Sequence, residues 1–349
     1  MPDPSLPDPE PRIPVSVLTG FLGSGKTTVL SRLLRNPAMA GTAVVINEFG
    51  EVGLDHDLVA RSDESVYELT SGCLCCTLRG DLIRTLAKLR LQRSRGEILK
   101  FQRLVIETTG LADPAPILHA LMNPPLVRDY RLGAVLTTVD AVNGMHTLDQ
   151  HVESVKQVAV ADRLLLTKSD IADADDVARL RARLDALNPG VPLVETLHGE
   201  ISPALLLTAG PYEPESKHED VQAWLREEAI QRHADDGHHH HHDVNRHDDH
   251  IRAYCVVREA PIPPEALIAF LDTLAMLGGA QLLRVKGIVQ VAGREETPAV
   301  VHMVQHVPHS VVGLPGWPSE DRRTRLVFIT RDLPRQMLEK LVDSLLGPG

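Results

Sequence analysis

The sequence is poor in aromatic residues, which make up 3% of its 349 positions, so aliphatic side chains must fill its cores. Positive charge is also in deficit: 36 lysines and arginines stand against 47 acidic residues, for a formal net charge of −11. That sign disfavours a protein that neutralises many phosphates, and we predict no nucleic-acid partner. No run of 18 apolar residues occurs, so we also expect no membrane span.

Cysteine is scarce as well, with four residues in the chain and three of them between Cys73 and Cys76. Such a cluster is unlike a disulfide framework and favours metal or redox chemistry in a reducing compartment. The N-terminus carries acidic residues and prolines where a signal peptide needs positive charge and an apolar stretch. We therefore expect a cytoplasmic protein.

What the sequence does contain is a regular alternation of short apolar runs and longer amphipathic stretches. The length suggests two domains at about 150 residues each. Seven apolar runs occur in the first part, at residues 15–19, 42–46, 66–69, 103–107, 133–139, 163–167 and 191–194. This alternation predicts an α/β fold with a mostly parallel sheet.

The chain divides into four parts. Residues 1–12 are rich in proline and predict a flexible leader, residues 13–208 a first domain, and residues 209–250 a linker. Residues 251–349 predict a smaller second α/β domain, with strands at 251–258, 281–291, 300–307 and 325–329. Its two helices are expected to start at Pro263-Pro264 and to run from Leu333 to about Leu346.

A phosphate-binding loop follows the first predicted strand. Gly20-Phe21-Leu22-Gly23-Ser24-Gly25-Lys26-Thr27 fits the P-loop pattern at every fixed position, follows a predicted strand and opens a predicted helix. The expected nucleotide-binding residues of this segment are Gly20, Gly23, Ser24, Gly25, Lys26, Thr27 and the adjacent Thr28. The glycines let backbone N–H groups surround the phosphates, and Lys26 is expected to reach the β and γ oxygens. Thr27 is the expected hydroxyl ligand of Mg²⁺. The alternative is an accidental match in a glycine-containing turn.

A second acidic group should follow a neighbouring strand. Glu107, at the end of the run 103–107, is the candidate to hold Mg²⁺ through water or to orient the attacking water. Gly110, three residues further on, is expected near the γ-phosphate, where nucleotide switches sense its presence. The alternative is that Glu107 only caps the next helix.

Base selection is expected from Thr167, Lys168 and Asp170, which resemble the guanine-reading N-K-x-D tetrapeptide with threonine in place of asparagine. They follow an apolar strand, at the edge where open α/β sheets bind ligands. The Asp170 carboxylate can accept hydrogen bonds from two donors of guanine that adenine does not offer. We therefore predict GTP rather than ATP.

The thiols of Cys73, Cys75 and Cys76 can converge on one soft cation, because thiolates favour Zn²⁺ or Cu(I) over Mg²⁺. No second C-x-x-C occurs to complete a structural zinc site, so an exchangeable fourth position is expected. A redox thiol pair and ordinary buried cysteines are the alternatives.

Histidines are concentrated between residues 233 and 250, which hold eight of the chain's 17. Five are consecutive, namely His238, His239, His240, His241 and His242. Imidazole binds transition metals, and we predict a flexible metal-loading tract. A solvated loop is the alternative, and the internal, acidic context disfavours a purification tag.

Together these residues resemble the CobW-type GTPases, a family of P-loop metallochaperones with a zinc chaperone branch. The resemblance covers nearly the whole chain from Ile13. It is carried by the P-loop, Asn47-Glu48-Phe49-Gly50-Glu51, the cysteine cluster, residues 107–110, Asp113-Pro114, residues 167–170, Arg284-Val285-Lys286-Gly287, Gln305-His306-Val307 and Trp317.

The resemblance implies a SIMIBI-type GTPase domain followed by a CobW-type C-terminal domain. It implies GTP, Mg²⁺ and Zn²⁺ as cofactors, hydrolysis to GDP and phosphate, and GTP-dependent transfer of zinc to a client metalloprotein. Glu51, and with less support Glu48, are the acidic residues it adds as candidate zinc ligands. A homo-oligomer is compatible with it.

Other functions remain open. A cobalt or iron chaperone of the same family, acting in cobalamin synthesis or nitrile hydratase activation, is the first alternative. Passive zinc storage or sensing, with the histidine tract dominant, is the second. A P-loop kinase of small molecules is the third, and the thiolate cluster and Asp170 give it no support.

Overall fold

The computed structural model describes residues 11–46, 66–68, 76–204, 251–277, 281–305, 307–308 and 311–347. Most of the predicted leader and linker lie outside the described residues. So do Cys73, Cys75, Glu48, Glu51 and the five consecutive histidines.

Seven parallel strands form the first sheet. They are β1 (Ile13–Gly20), β2 (Thr42–Ile46), β3 (Val66–Glu68), β4 (Arg103–Glu107), β5 (Tyr130–Asp140), β6 (Arg163–Thr167) and β7 (Leu193–Thr196). Their order across the sheet is β3-β2-β4-β1-β5-β6-β7, and every pairing is parallel. The central strand is β1, so the loop that follows it emerges in the middle of one sheet edge.

Helices connect these strands. They are α1 (Lys26–Leu34), α2 (Cys76–Ser94), α3 (Ala115–Met122), α4 (Gly144–Gln150), α5 (Val152–Ala159) and α6 (Ala174–Leu187). In α6 the Asp173 side chain accepts from the Asp175 amide at 2.9 Å and caps the start, and Asn188 ends the helix. Leu180, Leu184 and Leu187 are buried at helical spacing, as the sequence predicts.

The predicted strand positions are confirmed to the residue for β2, β4 and β6. The predicted run 191–194 is wrong by two residues, since β7 begins at Leu193. The Val191 amide donates to the Asn188 carbonyl at 3.2 Å and closes a turn there, and Pro192 has no N–H to offer a neighbouring strand.

The second sheet is antiparallel. Its strands are β8 (Ile251–Arg258), β9 (Leu282–Val289), β10 (Ala299–Val304), β11 (Val307–Pro308), β12 (Val312–Gly313) and β13 (Thr324–Arg331). Their order is β11-β10-β9-β13-β8, with β12 on β10. Helices α7 (Pro264–Leu277) and α8 (Arg335–Leu346) contribute to one apolar cluster with this sheet. The predicted order of strands and helices in this part is confirmed.

Details of the second sheet differ from prediction. The expected strand 300–307 is interrupted, because Gln305 has a left-handed backbone with φ of 50° and the chain turns back. Val304 and Val307 then pair across the turn as parts of β10 and β11. The last helix begins at Arg335 rather than Leu333, since Pro334 caps it in an extended conformation.

The two sheets share a buried contact. Arg284 of β9 is 3% exposed, and its guanidinium donates to the Val160 carbonyl and to the Asp162 carboxylate. Lys286 Nζ donates to Asn188 Oδ1 at 3.1 Å. Burial opposes the charge on Asp162, but Arg284 and the neighbouring amide of the first sheet stabilise it and hold the pKa of that carboxyl below its usual range.

None of the described helices is both long and apolar enough to cross a membrane.

We expect Asp162→Asn to lower the free energy of unfolding at pH 7 by about 3 kcal/mol, the lower end for breaking a buried ion pair. Because the pKa of Asp162 is lowered in the folded state, the pair stabilises the fold above about pH 4 and is lost as the pH falls through the folded-state pKa. The difference between the two proteins in urea denaturation should be constant between about pH 7 and 5 and shrink below about pH 4.

Glu339→Gln is the control, because Glu339 is 40% exposed where it pairs with Arg335. An exposed pair of this kind contributes about 0.3–0.5 kcal/mol. Equal losses for the two variants, or an Asp162→Asn difference that does not change with pH, would contradict the assigned role.

Candidate functional site

The P-loop connects the end of β1 to the start of α1 through glycines in left-handed conformations. Gly20, Gly23 and Gly25 have φ values of 142°, 72° and 90°. A Cβ atom at Gly20 would lie 2.2 Å from Thr138 Oγ1 and 2.8 Å from Ser24 Oγ, so no larger residue fits there. The Ser24 and Thr138 hydroxyls lie 2.6 Å apart and tie the loop to β5. The predicted loop geometry is therefore present.

The Lys26 side chain folds back onto the P-loop. It is 7% exposed, and its Nζ donates to the carbonyls of Gly20 at 2.9 Å and Phe21 at 3.0 Å. The ammonium group is thus held on carbonyls of the P-loop itself, for which anionic oxygens would compete. Thr28, the third residue of α1, is exposed.

Thr27 and Glu107 meet between the P-loop and β4. Thr27 Oγ1 donates to Glu107 Oε1 at 2.8 Å, and Glu107 is 2% exposed. A hydroxyl and a carboxylate side by side are hard oxygen ligands of the kind that Mg²⁺ prefers. The residues present therefore fit a magnesium ion, with Thr27 and Glu107 as the groups that would hold it.

The segment after β4 packs tightly on the P-loop. Thr108 Oγ1 donates to Thr19 Oγ1 at 2.8 Å, which fastens β4 to β1 at their ends. A Cβ atom at Gly110 would lie 2.5 Å from the Leu22 nitrogen. Gln157 of α5 donates through Nε2 to the carbonyl of Gly110 at 3.2 Å. Gly110 is therefore held between the P-loop and α5.

The predicted guanine-reading residues follow β6, next to the P-loop. Thr167 Oγ1 donates to the Ser24 carbonyl at 2.9 Å, so the threonine joins the two loops. Lys168 has a φ of 58°, and its Nζ pairs with Asp140 at 2.7 Å. Asp170 is exposed beyond them.

Asp140, at the end of β5, orients Lys168. Burial opposes its ionisation, yet hydrogen bonds from Lys168, Asn143 and the Val142 amide outweigh that penalty and hold the pKa of Asp140 below its usual range. The carboxylate is therefore charged at neutral pH, with Lys168 as its counter-ion. Sequence reasoning missed this residue, although an aspartate at the carboxyl end of a buried strand was a usable signal.

Three further contacts of the site were also missed. Gln157 holds Gly110, the Phe21 ring stacks on His151 with centroids 4.4 Å apart, and a Cβ atom at Gly199 would lie 3.0 Å from the Thr28 backbone. None of these pairs has a local sequence signal, because the partners are brought together only by the fold.

The predicted metal cluster lies mostly outside the described residues. Cys76 is the first residue of α2, two positions before the predicted helix start at Leu78. In the part of the chain that the structure describes, no three His, Cys, Asp or Glu residues are grouped to hold a metal ion. Ile46 of β2 pairs with Glu68 of β3 on one side and Glu107 of β4 on the other. The strand that precedes the cysteines thus ends two strand spacings from Glu107, about 10 Å.

Comparison with known protein families gives two matches. Residues 14–195 match the family described as CobW/HypB/UreG, nucleotide-binding domain. The chain belongs to this CobW family. Residues 251–346 match the cobalamin synthesis protein cobW C-terminal domain, so the expected resemblance and the expected fold class are both confirmed.

Individual CobW-family relatives agree with this assignment. The zinc chaperone YjiA of Escherichia coli is 32% identical over 325 residues, which cover 93% of this chain and 96% of YjiA. The zinc chaperone CobW of Pseudomonas aeruginosa is 34% identical over 228 residues, 56% of this chain and 60% of that protein. The crystal structure of Zn(II)-bound YjiA GTPase from E. coli superimposes with a TM-score of 0.70 at 27% identity, covering 96% of this chain and 99% of YjiA.

We expect Gly110→Ala to weaken binding of a GTP analogue about tenfold, a loss of about 1.4 kcal/mol that is within the usual cost of overpacking. The added methyl group would displace Leu22 and, with it, the P-loop. Fluorescence titration with a labelled GTP analogue measures the affinity. Gly316→Ala is the control, because no atom lies within 4 Å of a Cβ built there. Equal affinities for the Gly110→Ala variant and the unmodified protein would contradict the tight contact.

We expect Asp140→Asn to raise the dissociation constant for GDP about tenfold, since hydrogen bonds to charged groups contribute about 1.5–3 kcal/mol. The reason is that Lys168 loses the carboxylate that orients it. Asp149→Asn is the matched control, because it removes a carboxylate 2.6 Å from the buried Arg183 instead. If Asp149→Asn weakened GDP binding as much as Asp140→Asn, the role assigned to Asp140 in orienting Lys168 would be wrong.

Proposed function

We propose that this protein is a GTPase that carries zinc: it binds Zn²⁺ at Cys73, Cys75 and Cys76 and transfers it to a client metalloprotein in a cycle driven by GTP hydrolysis. The observation that carries the nucleotide half is the contact between Thr27 and Glu107 inside a complete P-loop. The relatives named zinc chaperones support the choice of metal.

The residues of the P-loop have defined tasks in this proposal. Backbone N–H groups of residues 20–27 and the Lys26 ammonium bind the β- and γ-phosphates of GTP. Lys26 leaves the two carbonyls that hold it now and transfers its hydrogen bonds to phosphate oxygens. Mg²⁺, held by Thr27 and Glu107, would neutralise phosphate charge during hydrolysis.

Two other segments complete the nucleotide site. Asp170 accepts hydrogen bonds from guanine, and the stem of Lys168, fixed by Asp140, lies along the base. Gly110 lies near the γ-phosphate, where nucleotide switches sense its presence. Loss of that phosphate on hydrolysis releases Gly110 and is the signal that the metal site receives.

The metal half of the proposal uses the chemistry of the thiolates. Three sulfur ligands suit Zn²⁺ and leave a fourth position for an exchangeable ligand, such as Glu51 or a residue of the client. His238 to His242 are proposed to collect metal for this site. Thiolates must stay reduced to do so, and the proposal therefore assigns the protein to the cytoplasm.

Coupling between the two sites is reciprocal. If GTP tightens zinc binding tenfold, zinc tightens GTP binding tenfold, which corresponds to about 1.4 kcal/mol. The route is short, because β3, which precedes the cysteines, and β4, which ends at Glu107, are both neighbours of β2. We propose residues 13–208 as the unit that contains both sites, residues 209–250 as a linker and residues 251–349 as the second unit.

The test is GTP hydrolysis with and without Zn²⁺, in protein from which residues 233–250 are deleted so that the histidines bind no metal. We expect zinc to change turnover, and the triple variant Cys73→Ser, Cys75→Ser, Cys76→Ser to abolish that response while it retains GTP binding. Cys255→Ser is the matched control, since it removes the fourth thiol, which lies in β8 of the other sheet. It should keep the zinc response.

Other outcomes assign other functions. Turnover that ignores both zinc and the three cysteines would contradict a zinc-carrying cycle and favour storage, sensing or redox chemistry. A stronger response to Co²⁺ or Fe²⁺ than to Zn²⁺ at the same three cysteines would reassign the cargo within the family. Turnover of ATP in preference to GTP would overturn the guanine assignment.

A further inference from the structure

The helix α5 contacts both the C-terminal sheet and the nucleotide site. At its C-terminal end, the Val160 carbonyl and the Asp162 carboxylate accept from the guanidinium of Arg284. Asn188 reinforces this end, because its Nδ2 donates to the Val158 carbonyl at 2.8 Å while its Oδ1 accepts from Lys286. Arg284 of β9 therefore acts on the residues that directly follow α5, and Lys286 of β9 acts on the last turn of α5 through Asn188.

The same end of α5 holds the segment that follows β4. Gln157 is 1% exposed, and its Nε2 donates to the carbonyls of Gly110 at 3.2 Å and Ala112 at 3.0 Å. The neighbouring Lys156 pairs with Asp113 at 2.7 Å. Gln157 and Val160 are three residues apart, which is about 4.5 Å along a helix. The contact with the second sheet and the contact with Gly110 are thus less than one turn apart.

Apolar packing couples the same elements. Val155, Val158 and Ala159 of α5 belong to one buried cluster with Leu283 of β9 and Ile329 of β13. Close-packed clusters of this kind transmit a displacement because they contain little free space. A shift of β9 therefore moves α5 through both its apolar face and its hydrogen-bonded end.

The contacts around Gly110 leave no room for such a shift. Gly110 lies so close to Leu22 that a Cβ atom would come within 2.5 Å of the Leu22 nitrogen. The backbone of Gln157 is also held in place, since its carbonyl accepts a hydrogen bond from Thr137 Oγ1 of β5 at 2.8 Å. A change at Arg284 would therefore reach Gly110, and a change at Gly110 would reach Arg284.

We propose that Arg284 is a positioning residue for GTP hydrolysis: through α5 and Gln157 it aligns Gly110 with the P-loop, so that the seating of the second domain and the nucleotide state are coupled. The proposal rests on the proposed GTPase activity. The proposal gives the second domain a role in the cycle, because a client protein that displaces β9 would change the rate of GTP hydrolysis.

The experiment compares five proteins in the full chain: the unmodified protein, Arg284→Ala, Gln157→Leu, the double variant, and Arg258→Ala. Arg258 is the matched control, since it is a buried arginine of the same sheet that bonds to Asp343 and the Gly347 carbonyl instead of α5. Steady-state kinetics give kcat and KM for GTP. Hydrogen–deuterium exchange reports on residues 108–114.

We expect Arg284→Ala to lower kcat at least about fivefold, the lower end of known allosteric couplings, with a change in KM of less than about twofold. Gln157→Leu should have a similar effect, and the double variant should be no slower than either single variant, because both changes break the same connection. Exchange in residues 108–114 should rise in all three and stay unchanged in Arg258→Ala.

Arg284→Lys keeps the result interpretable if Arg284→Ala does not fold. Lysine retains the charge beside Asp162 but cannot donate to both acceptors as a fork, so we expect kcat between those of the unmodified protein and Gln157→Leu. Multiplicative effects in the double variant, equal losses in Arg258→Ala, or unchanged exchange in residues 108–114 would overturn the coupling. Absence of GTP turnover in the unmodified protein would overturn the proposed function instead, while the exchange measurement would still decide the coupling.

Discussion

The nucleotide site depends on the parallel register of the first sheet. Because all seven strands run in one direction, the segments that follow them converge at one edge. Leu18 of β1 pairs with Glu107, and Gly20 pairs with Thr138, so both partners flank the start of the P-loop at one strand spacing, about 4.8 Å. From that starting point Thr27 reaches Glu107 and Ser24 reaches Thr138.

The same arrangement determines how the two lysines of the site respond to a nucleotide. Lys26 bonds to two neutral carbonyls, and a phosphate oxygen is a stronger acceptor because charge-assisted hydrogen bonds are about twice as strong as neutral ones. Lys168 bonds to a carboxylate, so exchange for a neutral ribose or base atom would be unfavourable. The two cations therefore differ: Lys26 donates to neutral carbonyls, for which a phosphate oxygen can substitute, whereas the Lys168 amine is held by the Asp140 carboxylate.

The parts of the fold and site that could be predicted are those written in contiguous residues. Strand β4 is an apolar run that ends in Glu107, and the P-loop is a pattern of eight neighbouring positions, so each is legible in the sequence. Asp140 and Gln157 act on partners 28 and 47 positions away, which no local pattern reveals. The strand predicted across Gln305 failed for a related reason, because its left-handed backbone follows from pairing between β10 and β11 rather than from residue preference.

The contact between the two sheets carries a desolvation penalty that a purely apolar contact would not have. Arg284 and Lys286 are both less than 10% exposed, and removal of two cations from water must be offset by Asp162, Asn188 and the carbonyl of Val160. Apolar residues of similar volume would join the sheets without that penalty, as Leu283 and Ile329 do in the adjacent cluster. Directional hydrogen bonds restrict β9 to one position relative to the end of α5, since a guanidinium shared by a carbonyl and a carboxylate fits only one geometry. One defined geometry is what the proposed coupling requires, because Gln157, less than a turn from Val160 along α5, donates to Gly110 and so links β9 to the segment after β4.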